Sequence, residues 1–192
     1  MGFGMEKSTD QELMSMVLKK NTRAFKVLYS RYEMRIYNFI LRYTGRKEIA
    51  QDLLQETFIR VWFAAHSFNL ESGNFKGWLY AIALNITRSE MSKKRYAYHY
   101  LEVSEISHQD EPANPRTEEP DAEMEHVDLK NAVTQALDKL SPLLREIIVL
   151  KHYQQLKFTE IAEMTNTPEG TLKARFHRAI AQLKELLDPA EL

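Results

Sequence analysis

Phe25, Leu28, Tyr29, Tyr32, Ile36, Phe39, Ile40 and Tyr43 recur three and four residues apart, with no glycine or proline among them until Gly45. That spacing places them on one side of an α-helix and cannot place them on one side of a strand. The stretch is therefore an amphipathic helix whose aromatic stripe belongs to a core, and Gly45 stands where a left-handed C-cap is expected. The same period returns along most of the chain, which has only six glycines and six prolines in 192 residues. An all-α fold follows.

Residues 1–6 show no pattern. Ser8 with Gln11, or Thr9 with Glu12, gives a capping-box signal for a first helix carrying Leu13, Met16 and Val17. After the 25–43 helix, Ala50, Leu53, Leu54, Phe58, Val61, Trp62 and Ala65 form the stripe of a third. Asp52, Gln55, Glu56 and Arg60 cannot lie in that stripe and make a polar face, either solvated or a binding surface. Residues 66–74 have turn chemistry. A fourth helix over 75–94 buries Trp78, Leu79, Ile82, Ala83 and Ile86. It ends in Arg88, Lys93, Lys94 and Arg95, followed by Tyr96, Tyr98 and Tyr100. Cations there complement the helix dipole, but beside aromatics they also suit nucleic-acid phosphates.

The formal net charge is −1, yet ten acidic residues lie between Glu102 and Asp128 against Arg116 alone. The flanking regions are correspondingly more basic. With Pro112, Pro115 and Pro120 and no sustained period, 97–126 reads as an acidic linker between units at 8–96 and 127–192. A coil of about thirty residues spans ~30 Å, and ~100 Å when stretched, enough to join contacts one to nearly three DNA turns apart. The chain has no cysteine, which rules out disulfides and Cys-ligated metal. No apolar run approaches the ~18 residues of a membrane span, so a cytoplasmic location is expected. Glu123 and His126 form a single Glu-x-x-His match, where a helical di-metal site needs two. There is no P-loop or nucleophile elbow, and no catalytic residue, metal or cofactor is expected.

In the second unit Val133, Ala136, Leu137 and Leu140 mark one helix, and Ser141-Pro142 opens the next, with Leu144, Ile147, Ile148 and Lys151. A short helix over 159–164 carries Ile161 and Ala162. Asn166 is then read as C-cap, Thr167 as N-cap and Pro168 as the first residue of a final helix to Leu187. That helix buries Leu172, Phe176, Ala179, Ile180, Leu183 and Leu187. Helix, tight turn, helix is helix-turn-helix spacing. The outward face of the second helix holds Gly170, Thr171, Ala174, His177 and Arg178, with Lys173 and Arg175 on its shoulders. Small residues admit DNA closely, and the cations serve phosphates and guanine edges.

The run DLLQETFIRVW at 52–62, followed by FKGWLYAIALN at 75–85, resembles the core-polymerase-binding and promoter-binding part of the bacterial extracytoplasmic-function (ECF) sigma factors. FTEIA at 158–162 and TPEGTLKARFHRA at 167–179 resemble the −35-reading domain of the same group. The resemblance implies an N-terminal four-helix, sigma-2-like bundle and a C-terminal sigma-4-like helix-turn-helix joined by a flexible linker. It implies that Asp52, Gln55, Glu56 and Arg60 face the β′ coiled coil of core RNA polymerase, with the β flap as a further contact. It assigns Phe68, Asn69, Ser72 and Asn74 to a loop that captures an unstacked base of the −10 element, with Asn85 beside the pocket. Trp78 is read as core beneath it. Arg88, Lys93, Lys94 and Arg95 would hold −10 phosphates. Thr167, Glu169, Thr171, Lys173, Ala174, Arg175, His177 and Arg178 would meet the −35 element. An anti-sigma factor is the remaining implied partner. Lys157 departs from the pattern, because these factors often cap the first helix of the motif with Ser or Thr. The rival reading is a sigma mimic that titrates an anti-sigma factor without touching DNA, and such a mimic should lose the basic face of its last helix.

Overall fold

A computed structural model describes the backbone of residues 5–71, 73–102 and 123–187, and the side chains of 5–71, 73–93 and 131–187. All its regular elements are helical: α1 (Asp10–Leu18), α2 (Thr22–Thr44), α3 (Lys47–Phe63), α4 (Phe75–Glu102), α5 (Glu123–Lys139), α6 (Pro142–Ile148), α7 (Phe158–Thr165) and α8 (Glu169–Leu186), with short 3-10 and π turns between them.

Local chemistry sets the helix boundaries. Thr9 Oγ1 accepts from the Glu12 N–H at 3.2 Å and Glu12 Oε2 accepts from the Thr9 N–H at 2.7 Å, so of the two candidate boxes Thr9 with Glu12 forms. Asn21 Oδ1 takes the N–H groups of Arg23 and Ala24 at 3.0 and 3.1 Å and starts α2. Gly45, at φ 69°, ends it by donating to the Leu41 carbonyl at 2.8 Å. Asn74 caps α4, its Oδ1 accepting from Gly77 at 2.9 Å. Residue 77 must be glycine for this cap, since a Cβ there would lie 2.5 Å from Asn74 Nδ2.

The α2 stripe is core, as its period requires: Leu28, Tyr32, Ile36, Phe39, Ile40 and Tyr43 are buried, with Phe25 and Tyr29 packed at the margin. Fully burying each of the larger side chains contributes roughly 1.5–3 kcal/mol. The ring of Phe39 meets Tyr80 of α4 edge-on at 5.4 Å. Thr57 and Thr87 are buried at apolar positions because each hydroxyl donates to the carbonyl one turn back, at 2.7 Å in both cases. In α1, Met14 rather than Met16 joins Leu13 and Val17 in full burial. Asp10 ties that helix to α2 by accepting from Arg31 and Tyr32.

Several boundaries differ from the sequence expectation. Helix α4 continues to Glu102 instead of stopping near Lys94, and α5 begins at Glu123, so helix occupies both ends of the expected linker. Residues 103–122 lie outside the described part, as do the side chains of the Glu123/His126 pair and of Tyr96, Tyr98 and Tyr100. Helix α6 stops at Ile148 and gives way to a π-turn over Val149–Tyr153, closed by the Gln154 N–H on the Val149 carbonyl at 3.1 Å. Helix α8 starts one residue later than expected. Pro168 is its N-cap at ψ 140°, and the Thr167 hydroxyl donates to the Thr165 carbonyl instead of capping. Asn166 is left-handed at φ 49°, as its C-cap position asks. At Lys157 the ammonium has no lone pair to offer, so only the reverse half of a capping box forms, Lys157 N–H to Glu160 Oε2 at 2.7 Å.

The second unit does not stand apart from the first. The π-turn packs on α2 and α7 on α4, and the buried apolar side chains of both units form one continuous cluster.

Candidate nucleic-acid interface

The sequence-assigned residues occupy three separate surfaces. On α3, Asp52, Gln55 and Arg60 are exposed and Glu56 is partly so. Arg60 Nη2 pairs with Glu56 Oε1 at 2.7 Å across one helical turn. An exposed pair of this kind stabilises the helix by only ~0.3–0.5 kcal/mol, but it presets the two side chains. Between and beyond them Ile59 and Phe63 are 56% and 70% exposed. They lie one turn apart on the same side of α3 as Glu56 and Arg60 and give the polar face an apolar centre. The sequence reading left them out, although both fall off the buried stripe when the helix is projected. Leu54 and Trp62, placed in that stripe, lie at its edge, and Trp62 packs against Phe25 at 5.1 Å.

The second surface is the loop before α4 and the outer side of α4. Here one assignment is corrected. Phe68 is only 6% exposed, its ring set against Phe75 at 5.9 Å and Trp78 at 5.3 Å. It is a core residue that anchors the loop, because an aromatic ring with apolar partners on two sides gains more from burial than from facing water. It cannot wall a base from there. Trp78 is half-buried against the same cluster, as expected. Asn69 is exposed, its Oδ1 accepting from Glu71 N–H at 2.8 Å. Asn74 is half-buried with its carbonyl committed to the α4 cap. Ser72 lies outside the described residues. Asn85 and Lys93 are exposed on the side of α4 that also carries Trp78, while the side chains of Lys94 and Arg95 are not described. Arg88 sits on the flank of that side and does not face solvent freely, as set out below.

The third surface is α8. Gly170, Thr171, Lys173, Ala174, His177 and Arg178 are all exposed, and Thr167, Glu169 and Arg175 partly so. Leu172 and Ala179 point inward, and Phe176 meets Phe158 of α7 at 5.9 Å, which fixes the helix-turn-helix angle. Lys173 Nζ lies 3.3 Å from Glu169 Oε2. That carboxylate lowers the positive charge on one shoulder and leaves Arg175 and Arg178 as the stronger cations.

A sigma-70 region 2 model matches residues 28–101 and a sigma-70 region 4 model matches 130–183. The ECF RNA polymerase sigma factor SigW of Bacillus subtilis is 31% identical over 91% of this chain and 98% of its own length. The ECF RNA polymerase sigma-E factor of Haemophilus influenzae is 29% identical over 96% and 98% respectively. The chain belongs to the ECF sigma factors. It is thus an alternative sigma factor that directs transcription initiation, a member of a family of regulatory proteins. Among solved structures this ECF sigma factor resembles the sigma factor RpoE of Bartonella quintana in complex with the anti-sigma factor NepR. The TM-score is 0.67 at 28% identity, covering 86% of this chain and 97% of that one.

What sequence reasoning did not foresee in this sigma factor is the seam between its two units. Glu146, buried on α6, accepts from Arg88 twice, from Nε to Oε2 at 2.8 Å and from Nη2 to Oε1 at 2.6 Å. The Tyr43 hydroxyl donates to Oε2 at 3.0 Å. These bonds hold the Arg88 guanidinium above its ordinary pKa, and burial beside the carboxylate raises the Tyr43 phenol. Arg145 reaches the Tyr43 carbonyl at 3.2 Å and Asp138 Oδ1 at 3.1 Å. Gln154, also buried, accepts from the Tyr80 hydroxyl at 2.5 Å, and its carbonyl accepts from Lys76 at 2.8 Å. Arg42 stacks over Tyr153 at 4.4 Å. The signal for this seam was Glu146 itself, a carboxylate one residue before the apolar run Ile147-Ile148-Val149-Leu150, where a buried charge demands a partner.

Proposed function

We propose that this sigma factor binds core RNA polymerase through α3 and reads two promoter elements, −10 by the α4 side and −35 by α8. Asp52, Gln55, Glu56 and Arg60 meet the β′ coiled coil, with Ile59 and Phe63 supplying the apolar centre that a stable interface needs. The β flap is the further polymerase contact of the C-terminal unit. Asn69, Ser72, Asn74 and Asn85 hold the edge of an unstacked −10 base, and Arg88, Lys93, Lys94 and Arg95 hold its flanking phosphates. Thr167, Glu169, Thr171, Lys173, Ala174, Arg175, His177 and Arg178 meet the −35 element in the major groove. The functional units are 8–96 and 127–192, joined by the acidic segment 97–126. An anti-sigma factor is the regulatory partner, as one is for the Bartonella quintana relative, and the protein works in the cytoplasm; among the described residues no helix is long and apolar enough to cross a membrane.

The observation that carries this reading is the simultaneous exposure of two chemically different faces, the polar-and-apolar face of α3 and the basic, small-residue face of α8. A sigma mimic would need the first and has no use for the second. Adding the purified chain to core polymerase should yield transcripts from a discrete set of promoters in a genomic library. Core binding with no promoter-specific transcript would favour the mimic instead.

A further inference from the structure

Of the two candidate capping boxes at the start of α1, the one that forms uses Thr9 and Glu12 and leaves Gln11 exposed on the helix surface. Gln11 Nε2 instead donates to the Leu70 carbonyl, in the middle of the loop before α4. The far side of the loop meets the same amide, since a Cβ at Gly73 would stand 3.5 Å from Gln11 Oε1. We propose that Gln11 is a positioning residue for −10 recognition, which braces the loop over 69–74 from α1 in the shape that accepts an unstacked base. This deepens the reading of that loop as the −10 capture loop and rests on it. Helix α1 precedes the residues 28–101 that match the region 2 model, so the role extends −10 reading to a helix outside the matched segment.

The ends of the loop are built into the fold. Phe68 is buried, Asn74 caps α4, and the Phe75 N–H donates to the Gly73 carbonyl at 3.1 Å. Between those ends Asn69 and Glu71 are exposed. The 2.8 Å bond from the Glu71 N–H to Asn69 Oδ1 is internal to the loop, so it shapes the chain there without placing it. The bond from Gln11 ties the middle of the loop to a helix that is itself fixed. Leu13, Met14 and Val17 of α1 are buried, and Asp10 accepts from Arg31 and Tyr32 of α2. A loop already in shape loses less freedom when it takes up a base. Polar side chains tell one base edge from another only when the backbone that carries them is held in place. The brace also needs a neutral donor. A carboxylate at position 11 could only accept, and would set its charge against the Leu70 oxygen.

The test uses the full chain assembled with core polymerase. The probes are promoters recovered from its own transcripts, each compared with versions carrying single base changes in the −10 or the −35 element. Gln11→Glu and Gln11→Met keep the length of the side chain and remove the donor. Both should lower the preference for the cognate −10 element over its base-substituted versions by about threefold to tenfold, the range one hydrogen bond is worth. The −35 preference, the Kd for core polymerase and the melting temperature should stay as in the wild type, since Gln11 is exposed on α1. Gln11→Lys restores a donor that reaches Leu70 and should recover most of the −10 preference. An unchanged −10 preference in Gln11→Glu and Gln11→Met overturns the proposal. So does a uniform loss on all promoters with a lowered melting temperature, which makes the bond merely structural. A loss in Gln11→Lys as large as in Gln11→Met also overturns it, because bracing the loop is then not what the amide does. The loop reading is checked separately with Asn69→Ala. Unchanged −10 preference there refutes the assignment of the loop, whereas a loss there with none in the Gln11 variants refutes the role of Gln11 alone.

Discussion

Truncating Phe63 to alanine should weaken the binding of core polymerase while leaving the fold intact. The ring of a phenylalanine offers roughly 200 Å² of apolar surface. Phe63 is 70% exposed in the free protein, so an interface that covers it removes about 140 Å² from water. At about 25 cal/mol per Å² that is ~3.5 kcal/mol before the cost of ordering the ring and its surroundings. A net loss of about 1.5–3 kcal/mol, or roughly tenfold to a hundredfold in Kd, is expected on truncation. Ile59, 56% exposed and one turn away, should give a smaller loss in the same assay. Neither side chain supports the core, so the melting temperature should stay within the shift that ~0.5 kcal/mol produces. Titrating each variant against labelled core polymerase, beside a thermal melt, separates the two effects. An unchanged Kd for Phe63→Ala would show that the α3 face points elsewhere. A fall in Tm of several degrees would place the ring in a packed role that its exposure does not support.

On α8, Arg178→Ala should cost about 1–3 kcal/mol on the cognate −35 duplex and relax discrimination at one or two base pairs. Lys173→Ala should weaken all duplexes alike, and by less, because Glu169 already pairs with it; uniform losses in both variants across base-substituted duplexes would make α8 a nonspecific anchor. Phe68→Ala should lower the stability of the N-terminal unit by about 3–5 kcal/mol, as for a core aromatic; normal stability with a pure loss of −10 opening would return this residue to base capture.

The sequence alone determined most of what depends on local period and local capping, though not the α8 N-cap or the end of α4. The α2 stripe, the left-handed Gly45, the Asn166 turn and the outward residues of α8 all follow from 3.6-residue geometry and from which side chains can cap a helix. The family resemblance was legible for a related reason, since its motifs are contiguous runs on single helices. Tertiary structure decided what depends on which surfaces meet. No periodicity distinguishes a loop phenylalanine that captures a base from one that packs on Phe75 and Trp78, because both are one aromatic in a polar stretch. Nor does the sequence say that Arg88 and Glu146 are partners. They lie on different units across the acidic segment, and only the packing of α6 and the π-turn on α2 and α4 brings them within 2.6 Å. Charge in a sequence shows that a partner is needed, and the fold chooses which one.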